Sequence, residues 1–184
     1  MTITLQADRN PFDTLIEFVN RVENPGGGER AKVATAITRG FAENFSTEGA
    51  ASGTPWEQLA PRTVGVRRQL GWAGEHPMLV RTGDYRRSWV EAGAPDHVEV
   101  FEKTGTGWLM DVGSESERAR ILNEGGVTNI DPWQIGRDGQ YHFVGGARAV
   151  YVPPRPVNEL GAKAEAGLGD VLDFVIDEIA KRVG

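Results

Sequence analysis

Three histidines and 26 acidic residues are the side chains of this 184-residue sequence best able to hold a metal or move a proton. His76, His97 and His142 are widely separated, and none has a second histidine or a cysteine two to four residues away, the spacing that brings two ligands together on a helix or turn. Histidines placed in this way are ordinarily surface or strand residues. With no cysteine in the chain, disulfides and thiolate metal centres are excluded. The sequence contains no G-x-S-x-G, no H-E-x-x-H, no Walker A motif and no G-x-G-x-x-G behind a strand. Gly105-Thr106-Gly107 is too short to cradle a phosphate and reads as a turn. The acids leave one catalytic option, a carboxylate pair flanking a glycosidic bond. None of them stands in the apolar setting that raises a carboxyl pKa for acid catalysis.

Charge is more informative than chemistry. The chain carries a formal net charge of −6, which argues against general nucleic-acid binding through clustered Lys and Arg. Between Arg62 and Arg87, six arginines (Arg62, Arg67, Arg68, Arg81, Arg86, Arg87) face two acids, a local balance of +4. From Glu159 onward six acids face three bases, a balance of −3. Segregation of this kind suits head-to-tail association between copies of one chain, and it equally describes two ordinary solvated faces. Trp56, Trp72, Trp89, Trp108 and Trp133 fall in loops or at element edges. They suit two roles, interface anchors or caps on the core of a loop-rich domain.

The elements that position these residues follow from periodicity. Thr2 to Leu5 alternates and predicts a short strand. Asn10-Pro11-Phe12-Asp13 is a helix start, and Phe12, Leu15, Ile16, Val19 and Val22 continue at helical spacing. Asn24-Pro25-Gly26-Gly27-Gly28 ends that helix. Val33, Ile37, Phe41 and Phe45 predict a second helix over 29–45. A long Pro- and Gly-punctuated connection follows to Pro77, of the kind that contacts partners.

The stretch 96–114 reads as a hairpin, and Ser114-Glu115-Ser116-Glu117 as a capping box opening a short helix over 115–123. Gly125-Gly126 stops it. A second hairpin is predicted around Arg137-Asp138-Gly139-Gln140, with Trp133 and Ile135 before it and Tyr141 and Phe143 after it. A strand over 149–152 precedes Pro153-Pro154-Arg155-Pro156. Leu168, Val171, Leu172, Val175, Ile176, Ile179 and Val183 then predict a last amphipathic helix beginning near Asn158. On its outer face, Asp177 with Lys181 and Glu178 with Arg182 form i, i+4 pairs. This order predicts an α+β fold: an antiparallel sheet with helices packed on one face, and long loops free for inter-subunit contacts.

At this length a chain can bury a sizeable core. Its hydrophobic content of 39%, with Gly 24 and Pro 10, describes a loop-rich protein that draws part of its order from other chains. MTITLQADRNPF lacks the basic and apolar regions of a secretory signal, and no apolar run reaches the ~20 residues of a membrane span. The expected place of synthesis is the cytoplasm, with no membrane partner.

Residues 76–90 read HPMLVRTGDYRRSWV, an apolar run broken by Arg81-Thr82-Gly83-Asp84 and turning basic and aromatic within a helical turn. By its residue types, Thr82 caps a helix whose first turn is Gly83-Asp84-Tyr85. Tyr85 and Trp89 then share one face, while the arginines and the tryptophan are presented outward from a base anchored by Leu79 and Val80. Together with Trp56, Leu59, Thr63, Arg67 and Arg68 upstream, and Leu79, Thr82, Gly83, Arg87 and Ser88 within it, this stretch resembles the W-x-x-L, T, L-x-x-T-G-x-L-x-x-S series of the phage virion-morphogenesis and tail-completion family of Mu-like and other tailed phages. Val152-Pro153-Pro154-Arg155-Pro156 is similar to that family's I-P-x-R-P-F strand end. Tyr85 stands where the family usually has an aliphatic residue, Val157 where it has Phe, and Asn123 where a His often precedes the Gly pair.

The resemblance spans residues 29–183 and divides the chain into an N-terminal strand and helix arm, 1–28, and one α+β domain, 29–184. It implies a structural, non-enzymatic protein of the virion head-tail junction, made in the host cytoplasm. Such a protein caps the tail tube and helps join tail to head. It implies no cofactor or metal, assembly with itself into a six-fold ring, and contacts with tail-tube, sheath and head-tail connector proteins. DNA passing through the bore would be a non-specific neighbour, repelled by about −36 formal charges on six copies. The motif residues Trp56, Leu59, Thr63, Arg67, Arg68, Leu79, Arg81, Thr82, Gly83, Arg86, Arg87, Ser88, Trp89, Pro153, Arg155 and Pro156 become candidate interface residues. Two alternatives stay open: a connector or adaptor on the portal side, and a cell-wall hydrolase resting on the acids alone.

Overall fold

The stripe Val33, Ile37, Phe41, Phe45 forms as expected, on a helix α2 that runs Gly27–Thr47. The computed structural model describes residues 11–105 and 107–183, so the expected strand over 2–5, the Asn10 cap and Thr106 lie outside the described residues. Val33, Phe41 and Phe45 are buried. The helix stops where Glu48 and Gly49 turn left-handed, with φ of 51° and 83°.

Two further helices close on α2. The short α4 (Asp84–Val90) sets Tyr85 and Trp89 against Phe41 and Phe45 in edge-to-face contacts, with Phe41 and Trp89 centroids 5.2 Å apart. Helix α6 (Ala162–Val183) crosses α2 near Gly40, where an added Cβ would lie 3.2 Å from that of Ala164. It begins at Ala162 rather than near Asn158, because the chain at Gly161 must first pass over the backbone of Ala51, at the head of the 3₁₀ turn Ala50–Ser52. Glu178 pairs with Arg182 (3.7 Å) and also receives Lys181 (3.5 Å), while Arg182 reaches on to Glu29 of α2 at 2.6 Å.

The predicted first helix forms as α1 (Pro11–Glu23), and its apolar residues are divided between two environments. Phe18 and Val22 pack on Val175, Ile179 and Val183 of α6 in a second, smaller core. Leu15, Ile16 and Val19 are left 56%, 57% and 43% exposed.

The remaining helices are α3 (Pro61–Gln69), started by Pro at its first position, and α5 (Glu117–Glu124). Ser116 occupies the cap position of α5 without a side-chain bond, so the capping box does not form. Ser114 instead accepts the Ser116 amide at 3.2 Å.

The fold is α+β. Its antiparallel strands form three two-stranded ladders rather than a single sheet: β1 (His97–Thr104) with β2 (Gly107–Ser114), β3 (Gly126–Ile130) with β6 (Arg148–Val152), and β4 (Trp133–Ile135) with β5 (Tyr141–Phe143). Both predicted hairpins are present. Helices α2 and α4 pack on the first ladder. The other two ladders are successive parts of one ribbon, joined where the Val144 amide donates to the Pro132 carbonyl at 2.8 Å. Two residues separate β3 from β4 and four separate β5 from β6, an even offset, so the odd-numbered side chains are the exposed ones along both ladders. Among the described residues no helix is long and apolar enough to cross a membrane.

Candidate functional site

The stretch 76–90 is a joint built around a buried methionine. Met78 is 1% exposed, and its amide donates to a Glu48 carboxylate oxygen at 2.9 Å. The same carboxylate meets His76 Nδ1 at 2.8 Å. The helix cap falls one residue later than expected: Gly83, at φ 87°, occupies it, a conformation that favours glycine. Thr82 Oγ1 accepts the Asp84 amide at 3.4 Å from just outside, and Asp84 pairs with Arg87 across the first turn. Ser88, 1% exposed, donates to the Tyr85 carbonyl (2.8 Å) and meets Ser114 Oγ (2.7 Å), which stitches α4 to β2. His97 donates from Nδ1 to the Ser88 carbonyl at 3.0 Å.

Trp89 is not presented outward. It is 4% exposed and belongs to the core with Phe41, Phe45, Trp56, Met78, Tyr85, Ala119 and Val157. The register of α4 decides this, since Tyr85 and Trp89 share the face that meets α2. Burial pushes the Tyr85 hydroxyl up to about 12, and the nearby Trp89 indole opposes this without either group completing a well-formed hydrogen bond.

The distant motif residues converge on the same core. Trp56 stacks edge-on against Phe45, and its indole N–H donates to the Pro156 carbonyl at 3.2 Å, linking positions 100 residues apart. Leu59 and Leu79 pack on that cluster from its margin. Arg155, 4% exposed, donates from Nη2 to the Glu57 carbonyl (2.9 Å), while its own amide donates to the Leu122 carbonyl (2.7 Å). Asn123 accepts the Val157 amide at 2.9 Å, and Asn44 donates to the Val157 carbonyl at 3.1 Å and to that of Glu159. Arg67, 7% exposed, spans the Pro77 (3.0 Å) and Glu75 (3.4 Å) carbonyls and so holds the 70–80 loop against α3. Arg81 clasps Gln134 of the ribbon at 3.0 Å.

Burial lowers the guanidinium pKa of all three arginines. Glu48 opposes it at Arg67, Glu57 and Glu48 oppose it at Arg155, and Arg118 and Arg67 add to it at Arg81. Arginine stays charged regardless, so Arg67 and Arg155 work as cationic staples for loop carbonyls, and Arg81 ties the ribbon through the Gln134 side chain. Pro156 is buried and Pro153 half-buried beside them. Of the predicted interface residues, only Thr63, Arg68, Thr82 and Arg87 are exposed, with Leu59, Leu79, Arg81, Gly83, Arg86 and Pro153 partly exposed; Arg68 is paired to Glu75 at 3.6 Å.

The candidate chemistry does not assemble. His76 meets Glu48, His142 meets Asp138 at 3.0 Å, and His97 meets a carbonyl. Among the described residues no three acids or histidines stand close enough to share a metal. Two described acids with a displaced pKa both move down. Backbone hydrogen bonding and then Arg182 lower Glu29, and the Gln140 amide and then His142 lower Asp138. A general acid requires the opposite displacement. An open groove of about 570 Å³ between α2 and α6 is lined by Ala36, Gly40, Ala164 and Phe174 among others, and by none of the three histidines.

Surface features not anticipated as such are two apolar faces. On the ribbon, Trp133 and Phe143 face one another across the ladder at 5.4 Å, next to the pair Ile135 and Tyr141; these four are 46–68% exposed. Further along, Val127 and Tyr151 pair at 69% and 63% exposed. The ribbon's other side is turned to the protein: Gln134 meets Arg81, and Ile130 and Val144 lie over Val66 and Arg67. The second face is the outer stripe of α1. The signal for the ribbon was available as apolar residues at alternate positions on both arms of a hairpin. No family model, no curated protein and no solved structure matches the chain.

Proposed function

We propose that this chain is a structural subunit of the head-tail junction of a tailed phage, of the virion-morphogenesis and tail-completion type. It works as a ring that caps the tail tube and takes part in joining tail to head. The observation that carries this reading is the convergence of the resembling motifs. Trp56, Leu59, Leu79, Trp89 and the 153–156 segment, scattered over a hundred residues of chain, meet in one packed cluster tied by the Trp56 to Pro156 and Arg155 to Glu57 bonds. That convergence supports reading these residues as one structural motif. Two uncovered apolar faces add support, since single chains seldom leave such faces in water.

The mechanism is assembly: rigid cores present complementary faces, and no bond is made or broken. Binding of the purified protein to assembled tail tubes, and separately to portal and connector complexes, tests this. Co-sedimentation with tubes, visible as density at one tube end, is the expected result, and capture by the portal complex alone moves the protein to the connector side. Failure to bind either one refutes the reading.

A further inference from the structure

We infer that the occupant of the ribbon's aromatic face is the outer stripe of α1 from a second copy of this chain, in a head-to-tail contact. The inference rests on the ring reading above and names the surfaces that would make the ring. The two faces differ in shape: one is a flat two-stranded ladder carrying Trp133, Ile135, Tyr141 and Phe143, the other a helical ridge of Leu15, Ile16 and Val19. They are held by different parts of the fold. Helix α1 packs on α6 and β2, and the ribbon is held by α3, α5 and Arg81.

A two-fold dimer that pairs a face with itself leaves the other face exposed, and one that covers both must set each α1 stripe on its partner's ribbon across the axis. A heterologous contact covers both faces of every copy once the ring closes. Charge points the same way. Helices α1 and α6 carry eight acids against four bases, a net of −4. Leaving out the buried Arg67, helix α3 and the ribbon carry four arginines against two aspartates, a net of +2. Like faces therefore repel, and unlike faces attract and orient one another.

The experiment uses the full chain and exploits its lack of cysteine. Ile16→Asp spoils only the α1 stripe and Trp133→Asp only the ribbon. Both positions are exposed, so circular dichroism and melting should match the parent, and this is checked first. By light scattering, each variant alone is expected to be monomeric at concentrations where the parent associates. An equimolar mixture should give a 1:1 dimer of twice the 20.0 kDa chain mass, because each variant keeps one intact face. In parallel, Val19→Cys and Tyr141→Cys are treated with a short bis-maleimide. Cross-linking is expected in the mixture and at least ten-fold less with either variant alone.

A parent oligomer indifferent to both Asp substitutions overturns this pairing while leaving the ring itself standing. Equal self-cross-linking of one cysteine variant overturns it in favour of a two-fold contact. A parent that stays monomeric, with no cross-link in the mixture, overturns it too. Tube binding then decides the head-tail reading independently.

Discussion

Three glycines near the start of α6 should respond in opposite directions to the same substitution. Gly161 is buried, and its carbonyl accepts the Glu165 amide at 2.9 Å to open the helix. A Cβ added there would overlap the Ala51 carbonyl oxygen, lie 2.7 Å from that carbonyl carbon and come within 3.1 Å of the Ser52 Cα. All three obstacles are backbone, so no side-chain rotation relieves them. Overpacking of this kind costs about 1–3 kcal/mol, and the rigid obstacle places Gly161→Ala at the upper end. The ~0.5–1 kcal/mol gained by restricting the unfolded chain does not offset it. For a chain of this size, ~3 kcal/mol corresponds to a fall in Tm of roughly 6–12 °C.

Gly167 and Gly169 meet nothing within 4 Å at the same hypothetical atom. Alanine there should stabilise by about 0.5–1 kcal/mol each through helix propensity alone, a rise of roughly 1–4 °C. Calorimetry and urea titration of the three single variants at one concentration make the comparison. The reasoning fails if Gly161→Ala costs less than about 1 kcal/mol, or if it shifts Tm in the same direction as Gly167→Ala.

Other substitutions probe the core and its ties. Tyr85→Phe removes a buried hydroxyl with no hydrogen-bond partner, so stability at neutral pH should stay within ~1 kcal/mol of the parent or rise. Above pH 10 the unfolded tyrosine ionises while the folded one, pushed up to about 12, does not; the parent should lose about 3 kcal/mol across that window, and Tyr85→Phe should lose that much less in alkaline urea titrations. Arg155→Ala should cost about 3 kcal/mol, because the part-buried Glu57 carbonyl loses its donor and a cavity opens; Arg155→Met, which keeps the bulk, should cost roughly 1 kcal/mol less by chemical denaturation. Glu29 is held below its usual 4.5, so as pH falls the unfolded chain takes up that proton first and stability is lost; Glu29→Gln should flatten this acid-side decline in melts from pH 6 to 3. Trp108→Phe deletes the bond from its indole to the Val22 carbonyl (3.1 Å) and should cost ~1 kcal/mol while sparing the hairpin signal in circular dichroism.

What could be read from residue types was whatever local period decides. The stripe of α2, the hairpins flanking Gly105 and Gly139, and the last helix all follow from spacing within a dozen residues. Direction was less accessible. Period shows that α1 has an apolar stripe, but only the position of α6 shows that Phe18 and Val22, rather than Leu15 and Val19, are covered. Trp89 looked like an outward anchor because the arginines beside it are polar, yet one helical turn places it opposite them. The partnership of β3 with β6 joins segments about twenty residues apart and carries no local mark. The burial of Arg67 and Arg155 was equally hidden, since their partners are loop carbonyls, which every residue type supplies.

The small core between α1 and α6 also fixes when this protein can finish folding. Its two halves are among the first and last described elements, with about 140 residues of chain between them. At roughly 5–20 residues per second, translation leaves α1 without its cover for something like 7 to 30 seconds after it is made. Throughout that interval Phe18 and Val22 lack their partners on α6, beside the exposed Leu15 and Val19. The nascent chain is therefore open to chaperone capture or misassociation at this helix, and release of α6 is the event that covers Phe18 and Val22.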